Sequence, residues 1–283
     1  MSEEEQILME ILQCRRVDLY LERNGLNREQ KVQFEAMQRR RINGEPLQYI
    51  IGHVDFMGYK LFVDQRVLIP RPETEIMVNS TIELMHQMYS GQTLRVLDLG
   101  TGSGNIAIAI ARLFPDCQIT AIDASAEALE LARRNANFQN AFDRIEFVHQ
   151  SMSSYLQRGF QEDEKFDLII SNPPYIPSDK MSTLPKEVLR EPHIALDGGR
   201  DGYEFIRQLM GMSSNALREN GKLVFEIWDG QSETVYAMYD YFKNFKHIEF
   251  GKDYTDTNRY VICRLRAMDP TVLEKFGKAG HEN

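Results

Sequence analysis

The chain has 283 residues, 42% hydrophobic and 27% charged, a globular balance long enough for one large domain or a small domain joined to a medium one. No apolar run approaches the roughly 20 residues that cross a bilayer, and the three scattered cysteines (Cys14, Cys117, Cys263) fit reduced thiols better than a disulfide framework. The net charge is -9; the first 50 residues hold eight Lys and Arg against nine Asp and Glu, which leaves -8 on residues 51–283.

A surface this acidic repels a phosphate backbone, so direct nucleic-acid binding is not expected. The one basic run, Arg39-Arg40-Arg41, reads as a solvated helix end. The six histidines show no H-x-x-x-H spacing and no C-x-x-C accompanies them, so no metal site is expected. The first residues, MSEEEQ, are acidic where a signal peptide is basic, and a cytoplasmic location is expected.

Taken in chain order, Ile7, Leu8, Ile11, Leu12, Leu19 and Tyr20 recur at helical spacing over 4–23, with Asn24-Gly25 as a stop. Asn27 can cap a second helix carrying Val32, Phe34, Met37 and Ile42 before Asn43-Gly44. This unit is too short to bury much core alone and should lean on the rest of the chain. Residues 53–64 alternate around Met57-Gly58 and predict a hairpin. Leu68-Ile69-Pro70-Arg71-Pro72 forces extended chain, and Glu73 opens a helix to about residue 89.

From residue 94 strands and helices alternate. Strands are predicted at 94–99, 118–122, 144–148, 166–171, 222–228, 248–250 and 260–265. Helices are predicted at 106–114, 126–138, 202–219 and 233–242. This order implies an α/β fold with a mostly parallel sheet covered on both faces.

Ligands of such sheets bind where strands end. The first sheet strand runs into Asp98-Leu99-Gly100-Thr101-Gly102-Ser103-Gly104, whose glycines permit a sharp turn and close backbone approach. Asp123 ends the next strand, where its carboxylate can accept both hydroxyls of a ribose. A dinucleotide fingerprint would need a third glycine at 105, which is Asn105. The extra carboxylate of Asp98 repels a pyrophosphate and suits a ligand bearing an amino group and a sulfonium.

The most specific run is Asp167-Leu168-Ile169-Ile170-Ser171-Asn172-Pro173-Pro174-Tyr175. An apolar strand stops at two prolines, which fix the backbone and leave their carbonyls free to accept. With the side-chain carbonyl of Asn172, two acceptors converge on an NH₂ group. An amide or aryl-amine nitrogen is a weak nucleophile because its lone pair is delocalised. Holding both of its N–H groups orients that lone pair toward a donor methyl and stabilises the charge that develops. Tyr175 offers an aromatic wall. Residues 176–199 lack a clear element, and a loop of that length reads as a cover for the acceptor.

On these residues the chain resembles the release factor glutamine methyltransferases over nearly its whole length. The resemblance rests on Gly44-Glu45-Pro46-Leu47-Gln48-Tyr49-Ile50-Ile51-Gly52, on Leu68-Ile69-Pro70-Arg71-Pro72-Glu73-Thr74-Glu75, on the 98–104 and 171–175 motifs, and on REPHIALDGGRDG from Arg190. Related ribosomal-protein glutamine methyltransferases carry a different segment at 70–74. The resemblance implies a seven-stranded Rossmann-like class I fold and a small helical docking domain at 1–52. A hairpin linker at 53–66 and a catalytic domain at 67–283 would complete the chain.

It also implies S-adenosyl-L-methionine as cofactor and class-1 peptide chain release factors as partners, methylated on the glutamine of a Gly-Gly-Gln motif. Gly100, Thr101, Gly102, Ser103, Gly104, Asp123, Met152 and Asn172 would bind the cofactor. Asn172, Pro173, Pro174 and Tyr175 would hold the glutamine amide beside Leu68 and Arg71, with Asn172, Pro173 and Tyr175 catalytic. Arg71 and Glu73 read equally well as an ion pair at a helix start, and Glu226 as packing. The chain departs from the family at Ser151-Met152, where an Asp-aromatic pair is usual, at Trp228, where a glycine is usual, and in a helical unit that reads one helix short. An adenine amino-methyltransferase acting on DNA or RNA is the alternative; a bare cofactor-binding module is disfavoured by the intact Asn172.

Overall fold

A computed structural model describes residues 1–21 and 25–266. The chain opens with α1 (Glu3–Leu12), capped reciprocally: Ser2 Oγ accepts the Glu5 amide at 3.1 Å and the Glu5 carboxylate accepts the Ser2 amide at 2.8 Å. Gln13 turns left-handed and α2 (Arg16–Leu21) starts afresh. The single helix expected over 4–23 is therefore two, because Asp18 takes the Arg15 amide at 2.9 Å and competes with helix continuation. Asn24, part of the expected stop, lies outside the described residues. α3 (Arg28–Ile42) begins under the expected cap, with Asn27 Oδ1 accepting from Gln30 at 2.9 Å. A further short helix, α4 (Leu47–Ile51), was not expected, so the described residues of the unit form four helices where two were read.

Ile7, Met37, Leu47 and Ile50 form the core of this unit, while Val32 and Ile42, placed by spacing on the apolar face, are exposed. Such a core is too small to stand alone. Tyr49 anchors it to the rest: its ring packs with Val63, Val67, Ala128 and Leu131, and its hydroxyl donates to the Val67 carbonyl at 2.6 Å. The basic run is not simply solvated. Arg40 pairs with Glu45 at 2.6 Å, and Arg41 bridges Glu3 and Glu187 at 2.8 Å each.

The expected hairpin is present as β1 (His53–Phe56) and β2 (Tyr59–Phe62). Met57 and Gly58 both have positive φ, the turn that matches strand twist. Then come α5 (Pro72–Met88), β3 (Leu94–Leu99), α6 (Asn105–Leu113), β4 (Cys117–Asp123), α7 (Ala126–Phe138), β5 (Ile145–His149), α8 (Met152–Gln157) and β6 (Phe166–Ser171). The chain continues with α9 (Glu204–Met212), β7 (Leu217–Glu226), α10 (Ser232–Phe242), β8 (Phe245–Lys252) and β9 (Asn258–Leu265). The large sheet has the order β5-β4-β3-β6-β7-β9-β8, parallel except for β9, which runs against both neighbours.

Alternate side chains serve the two faces. Val96, Leu168, Ile170 and Val224 pack with Met77, Val78, Ile106 and Ile110 on one side; Leu97, Ile169, Leu223 and Phe225 pack with Ile206, Leu209 and Val235 on the other. The helix expected over 202–219 ends at Met212, and β7 starts at Leu217. A bulge separates the pairs Phe166–Leu217 and Leu168–Lys222, with Asn220 left-handed inside it. No helix among the described residues is long and apolar enough to cross a membrane.

Candidate functional site

From β3 the chain moves outward to β4 and β5, then returns to β6 on the opposite side, which opens a crevice at the carboxyl ends of β3 and β6. Leu99 pairs with Ser171, and Ser171 Oγ donates to the Leu99 carbonyl at 2.7 Å. The next residue along each strand, Gly100 and Asn172 respectively, thus leaves the sheet beside the other. A cavity of about 290 Å³ opens there, lined by Gly100, Gly102, Asp123, Met152, Leu68 and Asn172 among others.

Gly100 and Gly102 have φ of +76° and +54°, and a Cβ on either would meet nothing within 4 Å, so their bare backbone forms open wall. Asp123 holds the loop in shape: Oδ2 accepts the Gly102 amide and Oδ1 the Ser125 amide, both at 2.8 Å. Each oxygen keeps a second lone pair for a ligand hydroxyl. Burial pushes its pKa up, opposed by those backbone bonds. Asp98 is fully buried beneath the loop, takes the Thr101 hydroxyl at 2.6 Å on Oδ2 and leaves Oδ1 without a partner among the described residues. Burial raises its carboxyl to about 7.

A second cavity of about 320 Å³ shares Leu68, Asn172, Pro173, Pro174 and Ala195 with the first and extends to Arg71, Tyr175, Glu226, Trp228 and Arg259. Asn172 therefore stands in the wall between two adjoining spaces. Its Nδ2 donates to Thr74 Oγ1 at 3.0 Å, which turns Oδ1 away from Thr74. Thr74 donates to Glu226 Oε2 at 2.6 Å, and the Tyr175 hydroxyl donates to Glu226 Oε1 at 3.1 Å.

The segment 176–199 folds back over both spaces as a strap of short 3₁₀ turns. Ile176 and Gly198 close its ends, with Ile176 N donating to the Leu196 carbonyl at 3.0 Å and Gly198 N to the Ile176 carbonyl at 2.8 Å. Gly198 is required by close approach: a Cβ there would lie 2.7 Å from Tyr175 Cα. Leu184, Val188 and Leu196 face the second cavity; Pro192 and Ile194 face the first. Glu191 binds the strap to the 68–72 segment by accepting the Ile69 amide at 3.0 Å and pairing with Arg71.

Two family patterns match the sequence: a methyltransferase domain over residues 90–261 and a PrmC N-terminal domain over residues 2–52. The release factor glutamine methyltransferase of Chlorobaculum tepidum is 38% identical over 92% of this chain and 88% of its own length. Those of Bacillus anthracis (33%, 92% of this chain and 90% of that protein) and Streptococcus pneumoniae (39%, 86% and 83%) are similarly related. The chain belongs to the release factor glutamine methyltransferase family. Among solved structures, the hMettl16 catalytic domain shares the fold with a TM-score of 0.58 at 14% identity, over 86% of this chain and 82% of that one. A Pyrococcus furiosus methyltransferase does so with a TM-score of 0.51 at 18% identity, over 83% and 100%.

In this glutamine methyltransferase the structure brings Gly100, Gly102, Asp123, Met152 and Asn172 to one cavity, and Leu68, Arg71, Asn172, Pro173, Pro174 and Tyr175 to the next. Thr101, Ser103 and Gly104, expected beside the cofactor, are not in the cavity wall. Thr101 and Ser103 are buried, the former tied to Asp98. Gly104 is pressed against Ile108 and Ala132, where a Cβ would come within 3.0 and 3.2 Å. Thr101 and Ser103 alternate with the cavity-lining Gly100 and Gly102 and so brace the loop from within, while Gly104 packs against α7 at the start of α6. Asp98, read as suiting the ligand's charge, lies fully buried beneath the loop, where it takes the Thr101 hydroxyl.

Arg71 pairs with Glu191 rather than with Glu73, which a local reading could not anticipate across 120 positions. The sequence does not single out Thr74, and Glu226 reads there as packing; the structure joins both to Asn172 and Tyr175 by hydrogen bonds. The signal available was a polar residue on the buried face of each element, although Thr81 on the same face of α5 gives the same signal without reaching the site. Ser151 caps α8, accepting from Ser154 at 3.3 Å, and so presents Met152 to the cavity.

Proposed function

We propose that the protein transfers a methyl group from S-adenosyl-L-methionine to the side-chain amide nitrogen of the glutamine in the Gly-Gly-Gln motif of class-1 peptide chain release factors. The observation that carries this reading is Asn172 in the wall shared by two cavities, with its amide nitrogen engaged by Thr74 and its oxygen turned away from it.

The residues of the first cavity fit the cofactor. Bare backbone at Gly100 and Gly102 accommodates its amino-acid portion, Asp123 suits ribose hydroxyls, and Met152 supplies a polarisable surface for the adenine. Bound there, the cofactor would supply an electrophilic methyl carried on a sulfonium, with the neutral thioether as leaving group.

Asn172 Oδ1 and the Pro173 carbonyl accept the two N–H groups of the substrate amide. That removes rotation of the NH₂ group, directs the lone pair toward the first cavity and stabilises the positive charge building on nitrogen. The strongly acidic methylated nitrogen then loses one N–H proton to water, so no strong base is required. Leu68 and Tyr175 flank the flat amide, and Leu184, Val188 and Leu196 of the strap line its pocket with apolar surface. The four-helix unit, joined to the strap through Arg41–Glu187, suits docking of a protein substrate, and a cytoplasmic setting is the one that partner implies.

Mass spectrometry of the release-factor peptide bearing the Gly-Gly-Gln motif, with and without enzyme and cofactor, tests the reading. A gain of one methyl on glutamine is expected. Label appearing in added nucleic acid and not in release factor would overturn it.

A further inference from the structure

Thr74, on α5, and Glu226, at the end of β7, come from elements other than the strand end that carries Asn172, yet both touch the acceptor machinery. Thr74 is fully buried and Glu226 nearly so. The bonds run Asn172 Nδ2 to Thr74 Oγ1 (3.0 Å), Thr74 Oγ1 to Glu226 Oε2 (2.6 Å) and Tyr175 hydroxyl to Glu226 Oε1 (3.1 Å).

The proton inventory of this chain is restrictive. An ionised carboxylate only accepts, so Thr74 must spend its single hydroxyl proton on Glu226. Toward Asn172 it then has only a lone pair. The end of the Asn172 amide that meets Thr74 must be the NH₂, and the oxygen is turned to the side where a substrate N–H arrives. An asparagine amide is otherwise nearly symmetric in shape, so sterics alone would not choose between its two orientations.

We propose that Glu226 is a positioning residue: through Thr74 it sets the direction of the Asn172 amide, and through the Tyr175 hydroxyl it holds the opposite wall of the acceptor pocket. This rests on the glutamine-methylation reading and adds a charge requirement to it. When Glu226 takes up a proton it can donate to Thr74, whose own hydroxyl proton is then free to point at Asn172. The amide can reverse, presenting its NH₂ to the substrate NH₂; two donors face each other and the acceptor is lost.

The surroundings set where this switch operates. Burial raises the Glu226 carboxyl to about 7, while the bonds from Thr74 and Tyr175 oppose the rise. Among charged neighbours, Glu73 on α5 raises it further and Arg259 on β9 lowers it. Arg71 lines the same pocket, paired with Glu191, and Tyr260 is the β9 residue opposite Glu226. The anionic, correctly oriented state therefore holds above about 7 and is lost below it.

The test is the pH profile of kcat at saturating S-adenosylmethionine and release factor, with the cofactor Kd measured in parallel. The wild type should show an acid limb in kcat. Asp98, which also titrates near 7, lies under the cofactor loop and reads out in the cofactor Kd instead. Thr74→Val should lose at least tenfold in kcat with cofactor Kd unchanged, and its residual rate should lack the acid limb; Thr74→Ser should restore both. Tyr175→Phe removes a donor from the carboxylate and should move the limb to higher pH.

A Thr74→Val enzyme with wild-type kcat, or one that keeps the acid limb, overturns the proposal. Should Thr74→Val fail to fold, an unshifted limb in Tyr175→Phe overturns it equally. A wild-type enzyme that methylates release factor with a kcat flat in pH defeats only this inference, whereas one that leaves release factor unlabelled defeats the reading beneath it.

Discussion

Glu191 and Arg71 form an ion pair that joins the strap to the segment preceding α5, with the Glu191 side chain almost wholly buried and Arg71 partly open to the pocket. The same carboxylate accepts the Ile69 amide, so both of its oxygens are engaged. Since Leu68 contributes to both cavities, this pair governs the wall between them.

Removing one partner strands the other. Arg71→Ala leaves a buried carboxylate with only a backbone amide, and should cost about 1–3 kcal/mol of stability, less than a fully buried pair because Arg71 is partly solvated. The double change Arg71→Met with Glu191→Leu should be milder than Arg71→Ala alone. Urea unfolding of the three proteins checks this; equal losses in single and double variants would count against the pair as described.

Asn172→Ala removes an acceptor while sparing the glycine loop. Methyl transfer should fall by about a hundredfold or more, the scale of deleting one preorganised hydrogen-bonding group. Cofactor Kd by calorimetry should change only a few-fold, because the wall retains Gly100, Gly102, Asp123 and Met152. Parallel loss of both quantities would show Asn172 to be structural.

The glycine loop gives a contrast within a few residues. Gly104→Ala sets a Cβ against Ile108 and Ala132 at positive φ, and should destabilise the fold by about 1–3 kcal/mol. Gly100→Ala carries the same positive-φ strain but places its methyl in open cavity space, so it should destabilise less than Gly104→Ala and should also weaken cofactor binding. Thermal melts and cofactor titrations of both variants separate bracing from lining; reversed effects would invert the assignment.

Asp98 makes stability pH-dependent. Its carboxyl is raised to about 7 in the folded chain, against about 3.9 when unfolded. The folded state thus binds a proton between those values that the unfolded state does not. Stability is highest below the unfolded pKa and is lost as pH rises through the folded one. Asp98→Asn keeps an acceptor for Thr101 without the charge. In cofactor-free protein its stability relative to wild type should grow from pH ~5 to pH ~8 by about 1–3 kcal/mol. A constant difference across that range would show that Asp98 stays ionised.

Much of this was legible in the chain. The bounds of 94–99, 126–138 and 166–171 match because local signals set them: Gly100 and Asn172-Pro173 stop the two apolar strands, and Ser125 caps the start of the helix. The left-handed break at Gln13 escaped, since the bond from Arg15 to Asp18 that favours it competes with an otherwise continuous helical pattern. So did α4 and α8, each too short for a period to register. The start of β7 was read as helix because Leu217 is held by pairing with Phe166 rather than by its own propensity.

By itself the sequence determined the order of strands and helices, the glycine turn after β3 and the Asn-Pro-Pro-Tyr stop after β6, because periodicity, backbone freedom and proline are properties of neighbouring residues. Only the tertiary structure decided which members of the glycine loop face the cavity, that Glu191 rather than Glu73 answers Arg71, and that Thr74 and Glu226 stand behind Asn172. Those relations join residues 98, 120 and 152 positions apart. They depend on which side of a strand end a side chain leaves and on where a buried charge finds its donors, and neither is set until the sheet has assembled.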